Sequence, residues 1–178
     1  MDNGASHYRR FLEGDEQALE AIVDQYNRIL ILFINRIVNN LTVAEDLAAD
    51  AFLELIIKKP RFRQESSFKT YLFAIGRNKS LDFLKRQARF VDRPIEELPL
   101  ADRQMIENEL IQDERRQVLH RAIEAIRPDY RDILHLLYFE DMSYSEAAAV
   151  LKKSVKQVNN LAFRAKNALR AVMNDEVI

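Results

Sequence analysis

Toward the end of the chain, Lys156, Gln157, Asn159, Asn160 and Arg164 follow one another closely enough to share one side of a helix. Asparagine and glutamine carboxamides can bond adenine at two positions, and lysine or arginine can contact guanine or phosphate. A second stretch, ESSFKTYLFAIGRNKSLDFLKRQ from Glu65 to Gln87, gathers Phe68, Tyr71, Phe73, Arg77, Asn78 and Lys79. Those types suit an unpaired nucleic-acid strand: rings stack on bases, the amide bonds an exposed base edge, and cations hold phosphates. Yet at about 100° per residue the apolar side chains do not stay on one face. Phe68, Leu72, Ile75 and Phe83 fall together, Phe73 and Leu84 lie opposite, and Leu81 lies between. A three-helix core needs the Phe68–Leu72–Ile75 stripe for itself, so Phe68 and Phe73 are expected to be buried.

The elements that must position these residues are all helical. Ala, Leu, Ile, Glu, Lys and Arg dominate, and three glycines and four prolines are too few for many tight β-turns. Asp15 can cap a long helix to about Val38, with Ala18, Ile22, Tyr26, Ile29 and Phe33 inward. Asn39 and Asn40 break it. Thr42 and Glu45 have capping-box spacing, and a second helix follows to about Ile57, with Leu47, Ala51 and Leu55 inward. Pro60 ends that run, Pro60 to Ser66 reads as a loop, and the third helix reaches about Arg89. The stretch RPIEELPLADRQ lacks helical periodicity and reads as a linker over 94–108, between domains at 1–93 and 109–178.

Helicity is expected to resume near Met105 and to run through Val118, Ala122 and Ile126. Pro128 fits the first turn of another helix, whose apolar side is read as Ile133, Leu134, Leu137 and Tyr138. Ser143 with Glu146, and Ser154 with Gln157, form two capping boxes on either side of a Lys152-Lys153 turn. A short helix, a tight turn and a capped second helix make a helix-turn-helix. Ala148 is small where the two helices cross, and Val155 and Val158 are expected to pack inward. The polar residues at the start of the second helix then face solvent or a major groove. The plainer reading is a helical hairpin with a solvated face.

Composition narrows the class. A hydrophobic fraction of 48% can build a core, and 31% charged residues indicate a soluble surface. There is no cysteine, hence no disulfide framework and no thiolate metal site. The N-terminus lacks a signal-peptide core, and the run ILILFI is far short of a membrane span, so a cytoplasmic protein is expected. The net charge of −1 conceals segregation. Lys58 to Arg93 is strongly basic, Glu96 to Glu114 is acidic, and every charge from Lys152 to Arg170 is positive. Two basic blocks suggest two polyanion-binding surfaces. His7, His120 and His135 have no metal-ligand spacing and no glycine-rich phosphate loop exists, so neither an enzyme, a metal nor a cofactor is expected.

AEDLAADAFLEL, followed by FRQESSFKTYLFAIGRNKSLDFLKR, resembles region 2 of the extracytoplasmic-function sigma factors of bacterial RNA polymerase. IRPDYRDILHLLYFEDMSYSEAAAVLKKSVKQVNNLAFRAKNALR resembles their region 4. The resemblance implies a chain that binds core polymerase through the largest-subunit clamp and the second-subunit flap, reads promoter DNA and helps to open it. By position it assigns Asp46, Leu47, Asp50 and Phe52 to polymerase docking. Phe62, Arg63, Ser66, Ser67, Lys69, Tyr71, Arg77, Asn78 and Lys79 are assigned to the −10 element, with Asn78 where the family commonly contacts an extruded base. Lys156, Gln157, Asn159, Asn160 and Arg164 are assigned to the −35 element. Many members also bind an anti-sigma factor.

Strand opening costs roughly 1–2 kcal/mol per base-pair step, and capture of the displaced strand offsets it. The chain departs from the family pattern at Ala49, where glutamine is usual, at Tyr71, where tryptophan is usual, and at Lys152, where glycine is common. Asn159 stands where arginine or lysine is frequent. Two other classes fit part of the chain. A stand-alone regulator would use only the helix-turn-helix on duplex operator DNA, and an interaction adaptor would use the basic faces on acidic partners.

Overall fold

The computed structural model describes residues 3–60, 66–91 and 114–175. Among them are eight helices and no strand: α1 Asn3–Leu12, α2 Glu16–Val38, α3 Leu41–Lys58, α4 Phe68–Val91, α5 Glu114–Ala125, α6 Pro128–Tyr138, α7 Tyr144–Leu151 and α8 Val155–Asp175. The chain divides into two compact units, Met1–Asp102 and Arg103–Ile178. The segment read as a linker, and the expected start of helicity near Met105, lie outside the described residues.

In the first unit, Asp15 stands between α1 and α2 and starts the second. Its backbone is extended and its carboxylate accepts from the Ala18 N–H at 3.3 Å, which caps α2. The same carboxylate accepts from Arg10 Nε at 2.9 Å, and this hydrogen bond holds the Asp15 pKa below the usual carboxylate range. At the other end Asn39 adopts the left-handed conformation, φ 53°, and donates its N–H to Asn35. Asn40 is extended, and its Oδ1 accepts from the Val43 N–H at 3.0 Å.

The expected Thr42–Glu45 capping box is therefore corrected. The helix has already begun at Leu41, and Asn40 is its cap. Two consecutive asparagines make this possible, because asparagine tolerates the left-handed region and is also a strong N-cap.

The core of this unit answers why α4 carries apolar residues on several sides. It packs against α1, α2 and α3. Phe68, Leu72 and Phe73 are completely buried, together with Leu30 and Ile34 of α2 and Leu55 of α3. The Phe33 and Phe73 rings sit 4.7 Å apart. Each such side chain contributes about 1.5–3 kcal/mol through burial. Gly76 permits the close crossing of α4 on α2, since a Cβ there would lie 2.8 Å from Leu30 Cδ1. Ile29 and Leu47, expected inward, are half-buried.

The sequence reading did not include α1. It is held by Tyr8 and Phe11, which are 1% and 6% exposed.

In the second unit, Pro128 occupies the first turn of α6 as expected. The inward residues are Ile133, Leu134, His135 and Leu136. Leu137 is only half-buried and Tyr138 is 55% exposed, so that part of the expected apolar side is corrected. His135 Nε2 lies 3.0 Å from Glu140 Oε1 within this core. Both partners of the Ser143–Glu146 capping box are present: the serine Oγ accepts from the Glu146 N–H and the glutamate accepts from the Ser143 N–H. Lys152 ends α7 at φ 53°, with its N–H on Ala148 and Ala149. A lysine thus adopts the left-handed geometry that favours glycine, at some cost in strain.

Candidate nucleic-acid interface

The start of α8 is fixed by its own side chains. Ser154 Oγ accepts from the Gln157 N–H at 3.2 Å, and Gln157 Oε1 accepts from the Ser154 N–H at 2.8 Å. The glutamine expected to read a base therefore has its oxygen engaged in a cap, leaving the NH2 as a donor. Val158, Ala162 and Ala165 are buried and anchor the helix, and Ala148 of α7 is 5% exposed. Val155 is 45% exposed, contrary to the expectation that it packs inward. It sits in the first turn, before α8 makes contact with the core.

Lys156, Gln157, Asn159, Asn160 and Arg164 are all exposed. Phe163 is 67% exposed. At about 100° per residue, Phe163 falls on the same line as Lys156, Asn160 and Asn167, the centre of the face turned away from the core. The sequence reading passed over Phe163, although its spacing from Lys156 and Asn160 carried the signal. A phenyl ring on such a face can contact a thymine methyl group. Lys166 is engaged within the domain: its ammonium lies 5.3 Å from the Tyr138 ring centroid. A hydrogen bond with the Tyr138 hydroxyl raises its pKa, aided by the charge of Tyr144.

A second surface lies in the first unit. Leu47, Asp50, Glu54 and Lys58 of α3 face Ile75, Asn78, Lys79, Asp82, Phe83 and Arg86 of α4 across a groove of about 410 Å³. Two residues assigned to polymerase docking and two assigned to the −10 element thus line one groove. Glu54 organises its charge. Lys58 lies 2.9 Å and Lys79 3.1 Å from the two carboxylate oxygens. The Lys58 hydrogen bond lowers the Glu54 pKa against the effect of burial, and Lys79 adds to the shift.

The remaining −10 candidates have varied placements. Phe62 and Arg63 lie outside the described residues. Ser66 is half-buried, and its Oγ donates to the Ser67 carbonyl at 3.5 Å. Ser67 caps α4, its Oγ accepting from the Thr70 N–H at 3.2 Å. Lys69 stands over the Phe73 ring, 5.6 Å from its centroid. Tyr71 is half-buried, and burial followed by the charge of Glu54 raises its pKa. Arg77 is half-buried with its Nε sealed from solvent.

On α3, Asp46 and Asp50 are exposed, but Phe52 is 5% exposed. Phe52 is part of the core and presents no surface to a partner, because α3 turns it toward the buried side with Ala48, Ala51 and Leu55. Leu53 and Ile57, 48% and 77% exposed, instead continue the Asp46–Asp50 line at helical spacing. They are two apolar residues that the sequence reading did not include. Among the described residues no group of three or more His, Cys, Asp or Glu could hold a metal, and no helix is long and apolar enough to cross a membrane.

The chain matches the family descriptions Sigma-70 region 2 over residues 22–90 and Sigma-70, region 4 over residues 116–169. The RNA polymerase sigma-H factor of Pseudomonas aeruginosa is 28% identical over 173 residues, covering 90% of this chain and 88% of that protein. The ECF RNA polymerase sigma-E factor of Escherichia coli is 28% identical over 177 residues, with the same coverage of 90% and 88%. Two solved structures share the fold. The sigma factor RpoE, in complex with the anti-sigma factor NepR from Bartonella quintana, has a TM-score of 0.71 at 21% identity, covering 87% of this chain and 96% of that one. CnrH, in complex with the cytosolic domain of CnrY, has a TM-score of 0.67 at 23% identity, covering 95% and 96%. With both family regions in order along one helical chain, the protein belongs to the sigma-70 family of RNA polymerase sigma factors, in its extracytoplasmic-function class.

Proposed function

We propose that the chain binds bacterial core RNA polymerase, directs it to promoters and assists strand opening at the −10 element. Residues 1–93 would form the polymerase-docking and −10 unit, residues 94–108 a linker, and residues 109–178 the −35 unit. The observation that carries this reading is the outward face of α8, where Lys156, Asn159, Asn160 and Arg164 are all exposed at the start of a helix anchored from behind by Val158 and Ala162. That geometry suits insertion into a major groove. On α3, Asp46, Asp50, Leu53 and Ile57 supply a mixed acidic and apolar stripe for the polymerase. In the α3–α4 groove, Asn78 supplies the amide for an unpaired base. The role is one of binding, in the cytoplasm, without catalysis by this chain. The RpoE relative was solved with an anti-sigma factor, which supports a partner of that kind here.

Run-off transcription with purified core polymerase on fragmented host DNA tests the reading. New discrete transcripts are expected only when both components are present. A specific nanomolar footprint by the protein alone, with no co-elution with core polymerase, would favour the stand-alone regulator.

A further inference from the structure

The C-terminal end of α3 is closed by a strained residue. Lys59 adopts the left-handed conformation, φ 40°, and donates its N–H to the Leu55 carbonyl at 3.1 Å. Pro60 follows and has no N–H with which to extend the helix. A lysine in the left-handed region carries a steric cost, so this closure needs support from outside α3. Two residues of α1 supply it. The Tyr8 hydroxyl donates to the Pro60 carbonyl at 2.9 Å, across 52 positions of sequence. The Lys59 ammonium lies 5.3 Å from the Phe11 ring centroid. Tyr8 is itself well anchored: it is 1% exposed, and its ring lies 5.2 Å from that of Phe68 and 6.1 Å from that of Phe11. Tyr26 of α2 packs on Phe68 in turn, at 5.6 Å. Gly4 lets α1 settle this deeply, since a Cβ there would lie 2.5 Å from the Tyr26 hydroxyl oxygen and 2.8 Å from Phe68 Cδ1.

We propose that Tyr8 is a positioning residue for polymerase docking, holding the C-terminal end of α3 from α1 and so fixing the last turn, from which Ile57 is presented. Ile57 is 77% exposed and precedes Pro60 by three residues, within one helical turn. Release of the Pro60 carbonyl leaves the strained Lys59 closure without its directional hold, and the turn that carries Ile57 frays first. Asp46 and Asp50 lie further back along α3 and keep their places. Tyr8 is buried and touches no partner itself; its effect passes through the end of α3. The docking part of the inference rests on the function proposed above for α3; the hold on the end of α3 does not.

Tyr8→Phe removes the hydroxyl and keeps the ring, so the core of the unit is retained while the end of α3 is released. Two measurements use the full chain. Amide hydrogen exchange at 56–59 should rise about five-fold, the equilibrium factor of a typical intramolecular hydrogen bond, with α2 and the second unit unchanged. In titrations with purified core polymerase, the Kd of the variant should rise by up to about the same five-fold factor. The same substitution is then made in an Ile57→Ala chain. There it should cost at most about two-fold more, because the contact that Tyr8 positions is already gone. Equal exchange in wild type and Tyr8→Phe, or an increase spread evenly over all four helices of the first unit, overturns the proposal. Equal losses of affinity with and without Ile57 overturn it too, since they assign Tyr8 a general structural role. Should the wild-type chain not bind core polymerase, the docking reading fails, and exchange alone decides whether Tyr8 holds the end of α3.

Discussion

Glu54 holds Lys79, with 3.1 Å between the carboxylate and the ammonium, so a cation adjacent to Asn78 is already paired within the protein. The same carboxylate also takes Lys58. A phosphate approaching the α3–α4 groove must compete with Glu54 for both lysines.

Glu54→Gln should therefore strengthen binding to a labelled oligo-dT strand and steepen its salt dependence by about 0.7 per lysine released to phosphate. Anisotropy titrations across a salt series measure this. An unchanged slope would show that the lysines already leave Glu54 on binding. The variant also has a signed pH consequence. Because the folded Glu54 pKa lies below its ordinary 4.5, the carboxylate's contribution to stability is complete above that value and is lost as pH falls through the lowered one. Wild type should lose more stability than Glu54→Gln on acidification to about pH 3, as read by urea unfolding.

Phe163→Ala should weaken −35 binding by the holoenzyme about five- to ten-fold, the factor of roughly 1 kcal/mol for one lost base-edge contact. The thermal midpoint should barely move, because the ring is 67% exposed. Lys156→Ala should weaken binding with little regard to sequence. A large drop in melting temperature for Phe163→Ala would assign the ring to packing instead.

At Gln157 capping and reading can be separated. Gln157→Glu keeps an acceptor for the Ser154 N–H and places a negative charge in the first turn, so stability should hold or rise by a few tenths of a kcal/mol. Affinity for the −35 element should fall. Ser154→Ala should cost about 1 kcal/mol of stability in the second unit, measured by denaturant unfolding.

Lys152→Gly should stabilise the second unit by about 0.5–1 kcal/mol, since glycine adopts φ 53° without the Cβ penalty. A rise in the thermal midpoint checks it.

At the alkaline end, burial and the neighbouring Tyr71 push the Tyr8 hydroxyl up to about 12 from its ordinary 10.0. The folded state then holds this proton where the unfolded state has released it, so stability falls as pH rises from 10.0 toward 12. Tyr8→Phe should lose less stability than wild type over that interval, in paired unfolding curves.

Much of this fold was legible because its signals are local. Asp15, Ser143 and Ser154 are caps satisfied within three residues, and the buried Val158 and Ala162 follow helical spacing. The helix-turn-helix could be read for that reason. α1 was not legible, since its stability comes from Tyr8 and Phe11 reaching elements far along the chain. The start of α3 turned on a competition between Asn40 and Thr42 that depends on the backbone left by α2. Phe52 was assigned by position within a motif, and the packing of α3 buries it. Glu54 and Lys79 sit on different helices, so no sequence pattern pairs them.

The close seat of Gly4 has a genetic consequence. Any amino-acid replacement at position 4 forces a Cβ toward Tyr26 and Phe68. If Asn78 takes the role proposed for it, a mutant hunt for defective promoter opening would return such alleles alongside changes in Asn78. Mapped on the gene alone, they would suggest a contact with DNA at the N-terminus. Their suppressors would be the informative class: a smaller residue at position 26 should restore the seat, tracing the defect to a displaced helix.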